Sequence, residues 1–67
     1  MDIPRLRYFL EIVRQRNFSR AAVICNVSQP SLSQQMKKLE DETGGPLFIR
    51  SPGNLQLTPL GADFLNY

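Results

Sequence analysis

The sequence predicts a mainly α-helical fold: three helices, a two-stranded β-hairpin and the opening of a further helix. Three observations predict it. Apolar residues recur at helical spacing in three stretches, each preceded by Asp, Asn or Ser, side chains that cap helix starts. Gly44-Gly45 closes the third stretch, and two short β-prone runs flank Ser51-Pro52-Gly53-Asn54. Thr58-Pro59 then begins a last apolar repeat, a cap followed by proline at the first helical position.

The totals bound what such a chain can be. Sixty-seven residues make at most one domain, with a small and marginal core. Arg5, Arg7, Glu11, Arg14 and Arg16 interrupt the first stretch, which excludes it as a secretory or membrane-spanning segment. One cysteine cannot form an internal disulfide, and with no histidine a structural zinc site is not expected. The usual general base at neutral pH is missing as well. Net charge is +2 and the pI about 9.1, a mildly basic balance. Its placement is more telling: basic residues stand at 5, 7, 14, 16, 20, 37, 38 and 50, while Glu40, Asp41 and Glu42 cluster.

The elements follow in order. Asp2 is the expected cap of a helix over about 3–15, with Pro4 in its first turn. Ile3, Leu6, Phe9, Leu10 and Val13 form its apolar stripe. Tyr8 and Ile12 are i, i+4 partners off that stripe. They are either surface residues or a cover for a later helix or a partner subunit. Asn17 or Ser19 caps a shorter helix over 18–25, in which Phe18, Ala22 and Cys25 face inward and small Ala21 and Ala22 allow close approach. Asn26, tolerant of positive φ, turns the chain with Val27. Ser28 caps the third helix, expected over about 29–42.

That third helix organises the chain. Leu32, Met36 and Leu39 recur at i, i+4 and i+7 and make its core face. Pro30, Ser33, Gln34 and Lys37 point the other way. This outer face carries amides, hydroxyls and a lysine, with no carboxylate before Glu40. Such a face can enter a negatively charged groove and hydrogen-bond to base edges. Two helices joined by a short turn, the second with a polar outer face, form a helix-turn-helix. Leu47-Phe48-Ile49-Arg50 and Leu55-Gln56-Leu57 then make a small hairpin, the wing, with Pro52-Gly53 as a type II turn. Two strands alone are marginal, so the wing must lean on the helices through Leu47, Leu55 and Leu57. Leu60, Phe64 and Tyr67 form the stripe of the last helix.

These residues, in this order, resemble the N-terminal DNA-binding domain of LysR-type bacterial transcriptional regulators. The likeness is carried by Leu6-Arg7-Tyr8-Phe9, Asn17 to Ala22, Val27 to Glu40, Gly45 to Arg50 and Leu57-Thr58-Pro59-Leu60-Gly61. It implies a winged helix-turn-helix over 1–58 and, over 59–67, the truncated start of a linker helix that dimerises. Members of the family continue into an effector-binding domain, so this chain is expected to be either a piece of a longer regulator, the favoured reading, or an unusually short product. The resemblance also implies a cytoplasmic protein at the nucleoid that binds double-stranded DNA, with no cofactor. In the full-length protein it implies a homodimer or higher oligomer; here it implies weak self-association. By the same likeness the third helix enters the major groove. Gln29, Pro30, Ser33 and Gln34 meet base edges there and Lys37 the nearby backbone; Asn17, Ser19, Ser28 and Arg50 are phosphate candidates. The chemistry agrees: a glutamine amide pairs with adenine N6 and N7, and proline offers apolar contact to a thymine methyl.

The chain departs from the family pattern in three places. The wing tip reads Pro52-Gly53-Asn54 where many relatives carry a basic residue. Gln34 stands where arginine is frequent, and Val23-Ile24 where charged residues are common. The modest charge, the uncharged wing and the apolar pairs Tyr8/Ile12 and Val23/Ile24 motivate an alternative, a winged helix that binds another protein. An enzyme is a poorer fit, since Ser19, Ser28, Ser31 and Ser33 lack a histidine to activate them. Glu40, Asp41 and Glu42 are expected to form a solvated helix end, and Cys25 a small core residue.

Overall fold

Most of the described helix boundaries follow from a local hydrogen-bonding choice. The computed structural model describes residues 3–51 and 54–66. Its elements are α1 (Ile3–Gln15), α2 (Phe18–Cys25), α3 (Gln29–Thr43), β1 (Phe48–Ser51), β2 (Asn54–Leu57) and α4 (Pro59–Asn66). Asn17, not Ser19, caps α2: its Oδ1 accepts from the Arg20 N–H at 2.8 Å. Asn26 ends α2 in the left-handed region, at φ 60°. Ser28 Oγ accepts from the Ser31 N–H at 3.2 Å, and Pro30 fills the first turn of α3. Gly44 closes α3 at φ 101°, a conformation that suits glycine because it lacks Cβ. The Asp2 cap, the Pro52-Gly53 turn and Tyr67 lie outside the described residues, as does the side chain of Ile3.

The core forms where three helices meet the wing. Phe9, Ile12, Ala21, Leu32, Met36, Leu39 and Leu47 are essentially sealed from solvent. Burying side chains the size of Leu, Ile or Met stabilises by about 1.5–3 kcal/mol each. Ala21 and Ala22, both buried, let α2 sit close to its neighbours. Phe9 is the centre: its ring lies 5.4 Å from Phe48 on β1 and 5.0 Å from Phe64 on α4.

The hairpin is antiparallel, with Phe48 opposite Leu57 and Arg50 opposite Leu55. Leu47 is buried, and Leu55 and Leu57 are half-buried against the core, so the wing leans on the helices as expected. Phe48 adds an anchor of equal weight, packed edge-on against Phe18 at 5.5 Å. The strands begin at Phe48 and Asn54, one residue later and one earlier than the sequence suggested.

Backbone bonds at Leu47 join the wing to two helices. Its N–H donates to Glu40 Oε2 at 2.8 Å, and its carbonyl accepts from the Thr58 N–H at 3.0 Å. Thr58 Oγ1 accepts from the Gly61 N–H at 3.0 Å, the cap expected for α4, and donates to the Pro46 carbonyl at 2.6 Å. Gly61 permits the close approach of α4, because a Cβ there would lie 2.2 Å from the Leu47 carbonyl oxygen and force one of the two backbones to shift.

Two expectations need correction. The buried face of α1 is turned toward Tyr8 and Ile12: Ile12 is sealed and Tyr8 half-buried on the core, whereas Leu6 and Leu10 are 40% and 42% exposed. Tyr8 and Ile12 therefore cover the neighbouring elements of their own domain. The acidic run at the end of α3 is not simply solvated either. Glu40 receives the Leu47 N–H, and Glu42 pairs with Arg5 NH1 at 2.6 Å, which leaves Asp41 exposed as anticipated.

Candidate nucleic-acid interface

The outward face of α3 is held at a defined angle by its inward face. Leu32, Met36 and Leu39 are 0%, 1% and 0% exposed, so rotation of the helix would expose its leucines. A second tie comes from α1, where Arg5 Nε donates to Gln35 Oε1 at 3.0 Å and its NH1 reaches Glu42. Pro30, Gln34 and Lys37 are exposed on the opposite side, with Gln29 and Ser33 half-buried beside them. Gln29 Nε2 donates to Ser33 Oγ at 2.8 Å, so these two side chains meet before any ligand is present. No described ion pair engages Lys37. The first turns of α2 and α3 contain no acidic residue, which leaves the positive ends of both helices uncompensated there.

A second group of candidates gathers between α2 and the wing. Asn17, Ser19 and Arg50 line one shallow groove of about 290 Å³, together with Arg16, Phe18, Ser51, Asn54 and Leu55. The Arg50 guanidinium carbon sits 3.8 Å above the Phe18 ring centroid, a cation–π contact that holds the cation in place. Arg16 was not singled out from the sequence. It is exposed, adopts φ 52° and immediately precedes the α2 cap; a basic residue beside a capping asparagine was the available signal. Asn17 and Ser28 have their side-chain oxygens engaged in caps, Ser28 also donating to Ser31 Oγ at 2.9 Å. Ser28 does not line the groove that holds Asn17, Ser19 and Arg50.

The remaining chemistry is sparse. Among the described residues there is no cluster of three metal-ligating side chains, and no helix is long and apolar enough to cross a membrane. Cys25 is a buried free thiol, as expected of a core residue. Val23 and Ile24 are 78% and 44% exposed on the outer side of α2.

A helix-turn-helix followed by a two-stranded hairpin and a docked fourth helix defines the winged helix-turn-helix class. The chain belongs to the LysR family: the profile of "Bacterial regulatory helix-turn-helix protein, lysR family" matches residues 3–62. It is 48% identical over 64 residues to the HTH-type transcriptional regulator BudR of Klebsiella aerogenes, covering 96% of this chain and 45% of BudR. It is likewise 48% identical over 64 residues to a probable cat1 operon transcriptional activator of Acinetobacter lwoffii, covering 96% of this chain and 21% of that protein. The chain thus spans less than half the length of these relatives. Among solved structures, the BenM DNA-binding domain in complex with catB site 1 DNA superposes with a TM-score of 0.92 at 37% identity. That match covers 100% of this chain and 75% of the other.

Proposed function

We propose that this chain is a sequence-specific DNA-binding domain of a bacterial transcriptional regulator, with α3 in the major groove. One observation carries the reading. The face of α3 turned away from the core offers amides, a hydroxyl and a lysine and no acid in its first turn, while three buried apolar residues fix its orientation. The likeness to a domain solved on DNA supports it. In this reading Gln29, Pro30, Ser33 and Gln34 meet base edges and Lys37 a phosphate. Asn17, Ser19, Ser28 and Arg50 contact the backbone, helped by helix-start N–H groups. Residues 1–58 make the winged domain and 59–67 the start of a linker helix through which the full-length regulator dimerises, in the cytoplasm at the nucleoid. Half-sites on one face of a duplex need two copies, so dimers form on DNA more readily than in solution.

The test is a fluorescence anisotropy titration over a salt series, using duplexes selected from a random pool. Affinity falls with salt as counterions are released. Lys37→Ala weakens binding to all sequences and lowers the salt slope by about one, whereas Gln34→Ala alters base preference. Binding indifferent to salt and to both substitutions would exclude α3 as the reading element. The exposed Val23 and Ile24 favour a second reading, a protein-docking winged helix. Its signature is a defined oligomer in light scattering with no salt-dependent DNA binding.

A further inference from the structure

The glutamines of α3 differ in how their amides are held. Gln35 Oε1 accepts from Arg5 Nε at 3.0 Å, so that amide is committed toward α1. Gln34 is exposed, and among the described residues no hydrogen bond engages its amide. Gln29 lies between these extremes: Nε2 donates to Ser33 Oγ, 2.8 Å away and one turn along the helix. That bond uses one N–H of the amide and leaves Oε1 to accept and the second N–H to donate; the Ser33 hydroxyl keeps its own proton to donate.

Resting on the DNA-binding reading above, and refining the part Ser33 plays in it, we infer that Ser33 serves the base-reading face through Gln29, as a positioning residue for that amide. Its hydroxyl sets the amide before DNA arrives. Gln29 then reads its base pair with a preset amide, Oε1 accepting and the second N–H donating, while Gln34 adapts to whatever it meets. The ground is conformational entropy. A glutamine free on a helix surface samples several rotamers, and ordering it on binding costs free energy that a preset side chain has already lost. An amide preset with one acceptor and one free donor suits adenine, whose N6 donates and N7 accepts in the major groove. Proline at the next position, exposed and without a donor, adds nothing that competes for that group.

The experiment is selection from a random duplex pool. Anisotropy follows on the selected duplex and its single-base variants, for the wild-type chain, Gln29→Ala, Ser33→Ala, the double variant and Ser33→Thr. Ser33→Ala is half-exposed and replaces serine with a better helix former, so the variant folds. Gln29→Ala reduces discrimination at one base pair by about 5- to 100-fold. Ser33→Ala reduces it at that same base pair by about 2- to 10-fold, with no change at the base pair read by Gln34. The double variant is no worse there than Gln29→Ala, and Ser33→Thr, which keeps the hydroxyl, restores the preference. Loss of preference at a different base pair, or single losses that multiply in the double variant, overturns the positioning role and leaves the DNA reading intact. A wild-type chain that selects no sequence overturns both.

Discussion

Helices α2 and α4 are both eight residues long and both start at a side-chain cap, yet they stand in the molecule differently. α2 is sunk into the core, burying Phe18, Ala21, Ala22 and Cys25. α4 lies on the outside, and its one fully buried residue is Gly61. Neither would be stable as an isolated peptide of that length. What separates them is how close approach is achieved. α2 presents paired alanines to α1 and α3, so its inner face is closed off while Val23 and Ile24 stay outside. α4 presents a glycine to one carbonyl, with Leu60 and Phe64 half-buried beside it. A helix that buries four residues in the core has little room to yield to a misfit, whereas one that buries a single glycine can lift away.

The largest test of this contrast is Ala21→Leu. Ala21 is 0% exposed, and overpacking there costs about 3 kcal/mol. A core of this size rarely supplies more than about 3–5 kcal/mol, so urea titration should find the variant barely folded. Gly61→Ala comes next. The added Cβ meets backbone, but α4 can move and alanine favours helix, so the net loss is about 1–2 kcal/mol. Hydrogen exchange should show it mainly within α4. A loss as global as that of Ala21→Leu would mean that α4 belongs to the core, and the contrast would fail.

The caps sharpen the comparison further. Asn17→Ala and Thr58→Ala each remove a helix-start bond worth about 1 kcal/mol. The first should lower the denaturant midpoint of the whole domain, and the second should raise exchange in α4 while moving that midpoint less. Val23→Ser is the smallest: at 78% exposure it should change stability by less than about 0.5 kcal/mol in the same titration.

Much of this architecture was legible in the residues because local signals agreed. Ser28, Gly44 and Thr58 mark helix ends by chemistry that does not depend on the rest of the chain. The stripe Leu32, Met36 and Leu39 has no rival on α3, so its core face was unambiguous. α1 was harder. Apolar residues occupy 3, 6, 8, 9, 10, 12 and 13, an arc wide enough that periodicity alone could not find its centre. Packing against α2 and α3 chose the Tyr8–Ile12 side. Ties across 30 and 37 residues, such as Arg5 to Gln35 and Glu42, leave no trace in local spacing. The candidate site divided the same way. The exposed positions of α3 followed from its period, but the bond between Gln29 and Ser33 and the stacking of Arg50 on Phe18 needed coordinates.

Leu47 stands between two helices, its N–H held by the Glu40 carboxylate of α3 and its carbonyl by the Thr58 N–H before α4. One rigid peptide unit flanks each of these bonds. The start of α4 and the far end of α3 are therefore joined by short, directional links, beside the apolar contact of Phe64 with Phe9. The root of α4 is thereby tied to the same residue as the end of α3, while the turns beyond it keep the freedom to lift.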